Sequence, residues 1–149
     1  MATRSPMEML REKAKEQLDA TTQQLGKTRQ SYEKACAQLR QLESYQHEYQ
    51  HQLTARTTDK GLLNSHILSY QLFIDSLNQV VKQYSTHVTA CENAVNQAVS
   101  AWKRDHLRLN AFTTLISRAD AVARKKESRL EQKMMDEFAS QTLLRKTFI

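Results

Sequence analysis

The sequence predicts an all-α fold, a long two-helix antiparallel coiled-coil hairpin with an overhanging C-terminal helix. Three observations lead there. The 149 residues contain only two Gly and one Pro, too few for the turns that a β-rich or α/β fold needs. Ala, Leu, Gln, Glu, Lys and Arg dominate, and these are strong helix formers. Aromatics make up 7% of the chain and the mean hydropathy is −0.68, so a thick core is hard to build. A two-helix seam needs only a narrow apolar stripe.

The first helix begins at "SPME". Ser5 is placed to act as N-cap, Pro6 suits the first helical position, and Glu8 completes a capping box. The pattern predicts a single domain over residues 1–149, with helix 1 at about 6–57, a turn at about 58–64 and helix 2 at about 65–146. The break is "TTDKGLLNS". Gly61 can adopt the left-handed conformation that ends a helix, and Asn64 or Ser65 can cap the next. At 1.5 Å per residue the helices should be about 75 Å and about 120 Å long.

Helix 2 carries the clearest repeat. Ile67, Ile74, Val81, Val88, Val95, Trp102, Leu109, Ile116, Ala123 and Leu130 recur every seven residues. Tyr70, Leu77, Tyr84, Cys91, Ala98, Asp105, Phe112 and Ala119 interleave with them. This is an a/d seam. Helix 1 has a looser version, with Leu18, Leu25, Tyr32, Leu39, Gln46 and Leu53 interleaved with Met7, Ala14, Thr21, Thr28, Ala35, Leu42 and Tyr49. Folding about Gly61 should place residues opposite each other when their numbers add to about 123. That register pairs Tyr49 with Ile74, and it sets Tyr32 against Cys91, Leu25 against Ala98 and Thr21 against Trp102, so large faces small, as a packed seam requires. Asp105 is a polar defect that sets register rather than performing chemistry.

The same register puts Met7 opposite Ile116. Helix 1 stops there, whereas helix 2 continues for about thirty residues, roughly 45 Å. Leu130, Met134 and Phe138 keep an apolar stripe on this overhang, in four-residue steps that leave the strict heptad. Such a stripe suits docking to another protein.

Enzymatic chemistry is not expected. No Gly-rich phosphate loop, Cys-x-x-Cys motif or convergent nucleophile–base set occurs, and a two-helix scaffold offers no deep pocket. His47 and His51 stand i, i+4 but have no evident third ligand. No catalytic residue, metal or cofactor is therefore assigned. Cys36 and Cys91 should lie too far apart for a disulfide. The net charge of +6 and a pI near 9.4 favour acidic partners. The charges are mixed along the chain, which argues against nucleic acid. "MATRSPMEML" has no apolar signal-peptide region and no segment has the length of a membrane span. A cytoplasmic protein with reduced thiols is expected.

Four stretches carry a family resemblance: "LDATTQQLGKTRQSYEKACAQLRQLESYQHEYQ", "LLNSHILSYQLFIDSLNQVV", "AWKRDHLRLNAF" and "RLEQKMMDEFA". In their order and spacing the chain resembles the FliJ family, soluble components of the bacterial flagellar type III export apparatus. The resemblance covers almost the whole length. It implies an antiparallel coiled coil similar to the γ-subunit stalk of rotary ATP synthases. Such a protein binds the centre of the hexameric flagellar export ATPase and promotes its assembly and ATP hydrolysis. It also implies contacts with the export gate protein FlhA and with flagellar export chaperones, and peripheral association with the cytoplasmic face of the inner membrane. On this reading Arg124, Lys126, Arg129, Leu130, Met134 and Phe138 bind the ATPase. Phe73, Leu77, Val80 and Tyr84, at i, i+4, i+7 and i+11, bind the gate. The competing expectation is a general cytoplasmic chaperone or scaffold of coiled-coil type that leaves ATPase turnover unchanged.

Overall fold

The computed structural model describes residues 5–58 and 64–147. They form two long helices packed against each other: α1, Pro6–Thr58, and α2, Asn64–Thr147. No strand occurs among the described residues. The expected turn at Gly61 lies outside them. The start of α1 is capped by Ser5, whose Oγ accepts a hydrogen bond from the Glu8 N–H at 3.3 Å and whose carbonyl accepts one from the Met9 N–H at 3.2 Å. Glu8 in the first turn of α1 and Arg56 in its last turn oppose the helix dipole, as do Arg145 and Lys146 at the end of α2.

The chain divides into two compact units. One comprises α2 from Asp105 onward with α1 as far as Leu18; the other is Asp19–Arg104.

Within Asp19–Arg104 the helices run antiparallel. Arg56 stacks its guanidinium over the Tyr70 ring at 5.4 Å, and Tyr49 meets Phe73 edge-on at 5.0 Å. The Gln46 side-chain amide donates to Asn78 Oδ1, and the Tyr84 hydroxyl donates to Gln38 Oε1. Trp102 Nε1 donates to Thr22 Oγ1 at 3.1 Å. The paired numbers add to between 122 and 126, around the predicted 123. Trp102 thus bonds the neighbour of its expected partner Thr21, and the hydroxyl satisfies the indole N–H of a partly covered ring.

In the other unit, Glu8, Arg11, Glu12 and Lys15 share a groove with Leu109 and Thr113.

Every predicted seam position of α1 from Met7 to Leu53 is at least partly buried, as is every predicted position of α2 from Ile67 to Ile116, whereas Ala119, Ala123 and Leu130, further along the same repeat, are exposed. The fully buried apolar residues are few: Ala14, Ala35, Ile74 and Ala98. Three of the four are alanines, so the small side chains mark where the helices come closest. Asp105 is 1% exposed, the most enclosed residue described. Burying a carboxylate is costly unless its surroundings compensate it, so its place in the seam penalises every register that would bury it elsewhere.

Candidate functional site

Two surfaces carry the residues singled out from the sequence. The first is the end of α2. All residues from Ser117 to Lys146 are exposed. The change from half-buried to exposed follows Ile116, the residue that the register sets opposite Met7. Leu130, Met134 and Phe138 are 62%, 69% and 73% exposed. One turn apart, they lie on one face of the helix. Arg124, Lys126 and Arg129 are exposed beside them. The Arg124 Nε reaches back to the Asp120 carbonyl at 3.5 Å, and Thr142 Oγ1 donates to the Phe138 carbonyl at 2.8 Å. Both contacts lie within one helix, so neither covers the apolar face. Met135, Leu143 and Leu144 extend the exposed apolar area. They stand off the four-residue stripe and were not singled out from the sequence; their only signal is high apolarity in a segment with no opposing helix.

The second surface lies early in α2. Leu77 and Tyr84 are partly buried in the seam, whereas Phe73 and Val80 are 48% and 45% exposed at its edge. The four do not form one uniformly open face. Phe73 is held by the edge of the Tyr49 ring, Tyr84 by its bond to Gln38, and the Tyr84 ring meets His87 at 5.3 Å. Phe73 and Val80 are the open members of the set, while Leu77 and Tyr84 lie deeper in the seam. Leu68 and Leu72, both more than 60% exposed, enlarge this surface. Both fall outside the heptad.

The seam beside this surface holds both thiols. Cys36 and Cys91 are free, and the Cys91 Sγ lies 3.7 Å from His87 Nε2. The Tyr32 hydroxyl is raised above the ordinary tyrosine pKa of 10.0, first by its hydrogen bond with Cys36, then by the charges of Cys36 and Glu92. Among the described residues no group of three or more His, Cys, Asp or Glu side chains is disposed to hold a metal ion. His47 and His51 are both exposed on α1. No helix among the described residues is long and apolar enough to cross a membrane.

Comparison with known proteins gives this geometry a context. Residues 3–147 match the family described as Flagellar FliJ protein. The chain belongs to the FliJ family. A "Flagellar FliJ protein" of Salmonella typhi is 33% identical over 146 residues, 98% of this chain and 99% of the relative. Its counterpart in Escherichia coli (strain K12) is 31% identical over the same shares. The match therefore takes in both surfaces and the overhang, not the seam alone. A solved chain from Chlamydia trachomatis, described as a YscO homolog, aligns with a TM-score of 0.45 and 19% identity, covering 93% of this chain and 94% of its own. That likeness is too slight to bear on function.

Proposed function

We propose that this chain is a non-enzymatic component of the flagellar type III export apparatus, with the overhang of α2 as its ATPase-binding element. Membership of the FliJ family supports the place in flagellar export. The observation that carries the finer reading is thirty consecutive exposed helical residues bearing both an apolar stripe and the basic run Arg124–Arg129. A lone helix is narrow enough to enter the centre of a hexameric ring. Its stripe supplies apolar contact, and its cations attract acidic walls and speed the encounter. A single eccentric ligand touches the six subunits unequally, and only such differential contact can bias their conformations. The activity then lies in the ATPase, whose assembly and turnover the hairpin promotes. Phe73 and Val80, supported by Leu77 and Tyr84, form the contact with the export gate FlhA, and export chaperones exchange on the hairpin. The site of action is the cytoplasmic face of the inner membrane.

The test is a titration of the full-length chain into the cognate export ATPase, reading turnover and stoichiometry together. Turnover per ATPase subunit should rise and saturate near one hairpin per six subunits. Phe138→Ala should shift the midpoint, since burying that ring contributes about 1–3 kcal/mol. Unchanged turnover with an assembled ring would favour a general chaperone or scaffold.

A further inference from the structure

The overhang is charged unequally along its length, and this points to a partner independent of the ring. Between Ala123 and Phe138 its first part carries Arg124, Lys125, Lys126 and Arg129 against Glu127, whereas the part after Leu130 carries Glu131, Asp136 and Glu137 against Lys133, with Arg145 and Lys146 lying beyond. A segment that is basic in one half and acidic in the other is complementary to itself only when two copies run antiparallel. We propose that two copies of the chain associate through their overhangs, antiparallel about a two-fold axis near Leu130.

The register follows from the stripe. When facing residue numbers add to about 261, Phe138 of one copy lies over Ala123 of the other, and the two Leu130 side chains adjoin at the axis. A large ring thus meets a small residue, and Met134 meets the aliphatic stem of Glu127. The flanks agree with this arrangement. At 100° per residue, Arg124 and Glu131 border the stripe on one side, and Lys126 and Glu137 border it on the other. A two-fold axis of this kind brings like sides together. Lys126 of each copy then sits within two residues of Glu137 of the other copy. A parallel pair would instead stack the basic runs on each other. Self-association covers residues exposed by 62–73%, which monomeric proteins rarely leave as a continuous patch. It would also hold the stripe away from unrelated apolar surfaces until a stronger partner competes for it.

Sedimentation of the full-length chain across a concentration series tests the idea. The wild type should show a monomer–dimer equilibrium that weakens as salt is raised. Phe138→Glu should raise the dissociation constant at least tenfold while circular dichroism remains helical. The double variants Arg124→Glu/Lys126→Glu and Glu131→Lys/Glu137→Lys should each be monomeric alone and form a heterodimer when mixed. A wild type that stays monomeric throughout overturns the proposal. So does a dimer indifferent to Phe138→Glu, or a mixture of the two double variants that fails to pair. None of these results depends on the ATPase, so the ring reading stands or falls separately.

Discussion

One helix, α2, passes through two environments. From Ile67 to Ile116 its heptad positions advance by alternating three and four residues and are partly or wholly buried against α1. From Ser117 to Lys146 every residue is exposed, and Leu130, Met134 and Phe138 advance by fours. Helix propensity is similar in both regions, since neither contains Gly or Pro. The first region is held by its partner helix. The second depends on propensity and on continuity with the first, because extending a nucleated helix is far easier than starting one. Apolar residues in the first region therefore contribute to stability, and those in the second are available for binding. The difference is set by the opposing segment, not by the side chains.

The comparison breaks most completely if the overhang can be removed without loss. Deleting residues 120–149 should abolish binding to the ATPase ring yet leave a hairpin that melts cooperatively. Equal ring affinity for the truncated and full-length chains, measured by ultracentrifugation, would end the account of the overhang. A matched pair of substitutions comes next. Ile74→Ala, at a site 6% exposed, should cost about 2–4 kcal/mol in denaturant unfolding. Leu130→Ala, at 62% exposure, should stay within about 0.5 kcal/mol while weakening the ring contact. Similar costs at the two sites would mean that the overhang is packed after all.

The edge of the seam lies between these extremes. Phe73→Ala should cost about 1 kcal/mol through its ring contact with Tyr49, and Val80→Ala should cost less. Both should weaken binding to FlhA. A lower melting temperature with unchanged FlhA affinity would make the pair packing residues only. The smallest effect concerns Tyr32. Its folded pKa is raised above 10.0, so the folded state holds the phenolic proton more tightly than the unfolded state does. The resulting stabilisation is complete below pH 10 and is lost as pH rises through the folded pKa. Wild type and Tyr32→Phe should therefore converge in stability above that pH, and a difference that grows there would contradict the assignment.

Much of this was legible in the residues. The heptads from Met7 to Leu53 and from Ile67 to Ile116 locate the seam, because a side chain seven residues on returns to nearly the same face. A short break between two such patterns leaves only the antiparallel register, and that register placed the end of the seam at Ile116. The width of the seam was less legible. Arg11, Cys36 and Gln52 on α1, with Asn78, Ala94 and His106 on α2, are also partly covered, because the helices shield flanking positions that a strict a/d pattern omits. The enclosure of Asp105 was only half visible: the pattern gives its place in the seam, but only the packing makes it the most enclosed residue. Leu68 and Leu72 were missed because an exposed leucine on a helix has no sequence signature apart from its partner.

Hydrogen exchange on the full-length chain tests the division of α2 most directly, at a concentration where sedimentation finds a monomer. Free in solution, amides from 117 to 146 should exchange much faster than those from 67 to 116. Adding the assembled ATPase ring should protect the 117–146 segment, centred on Leu130 to Phe138, and leave the seam unchanged. Protection that appears only in residues 67–116, with the overhang still exchanging freely, would contradict the account.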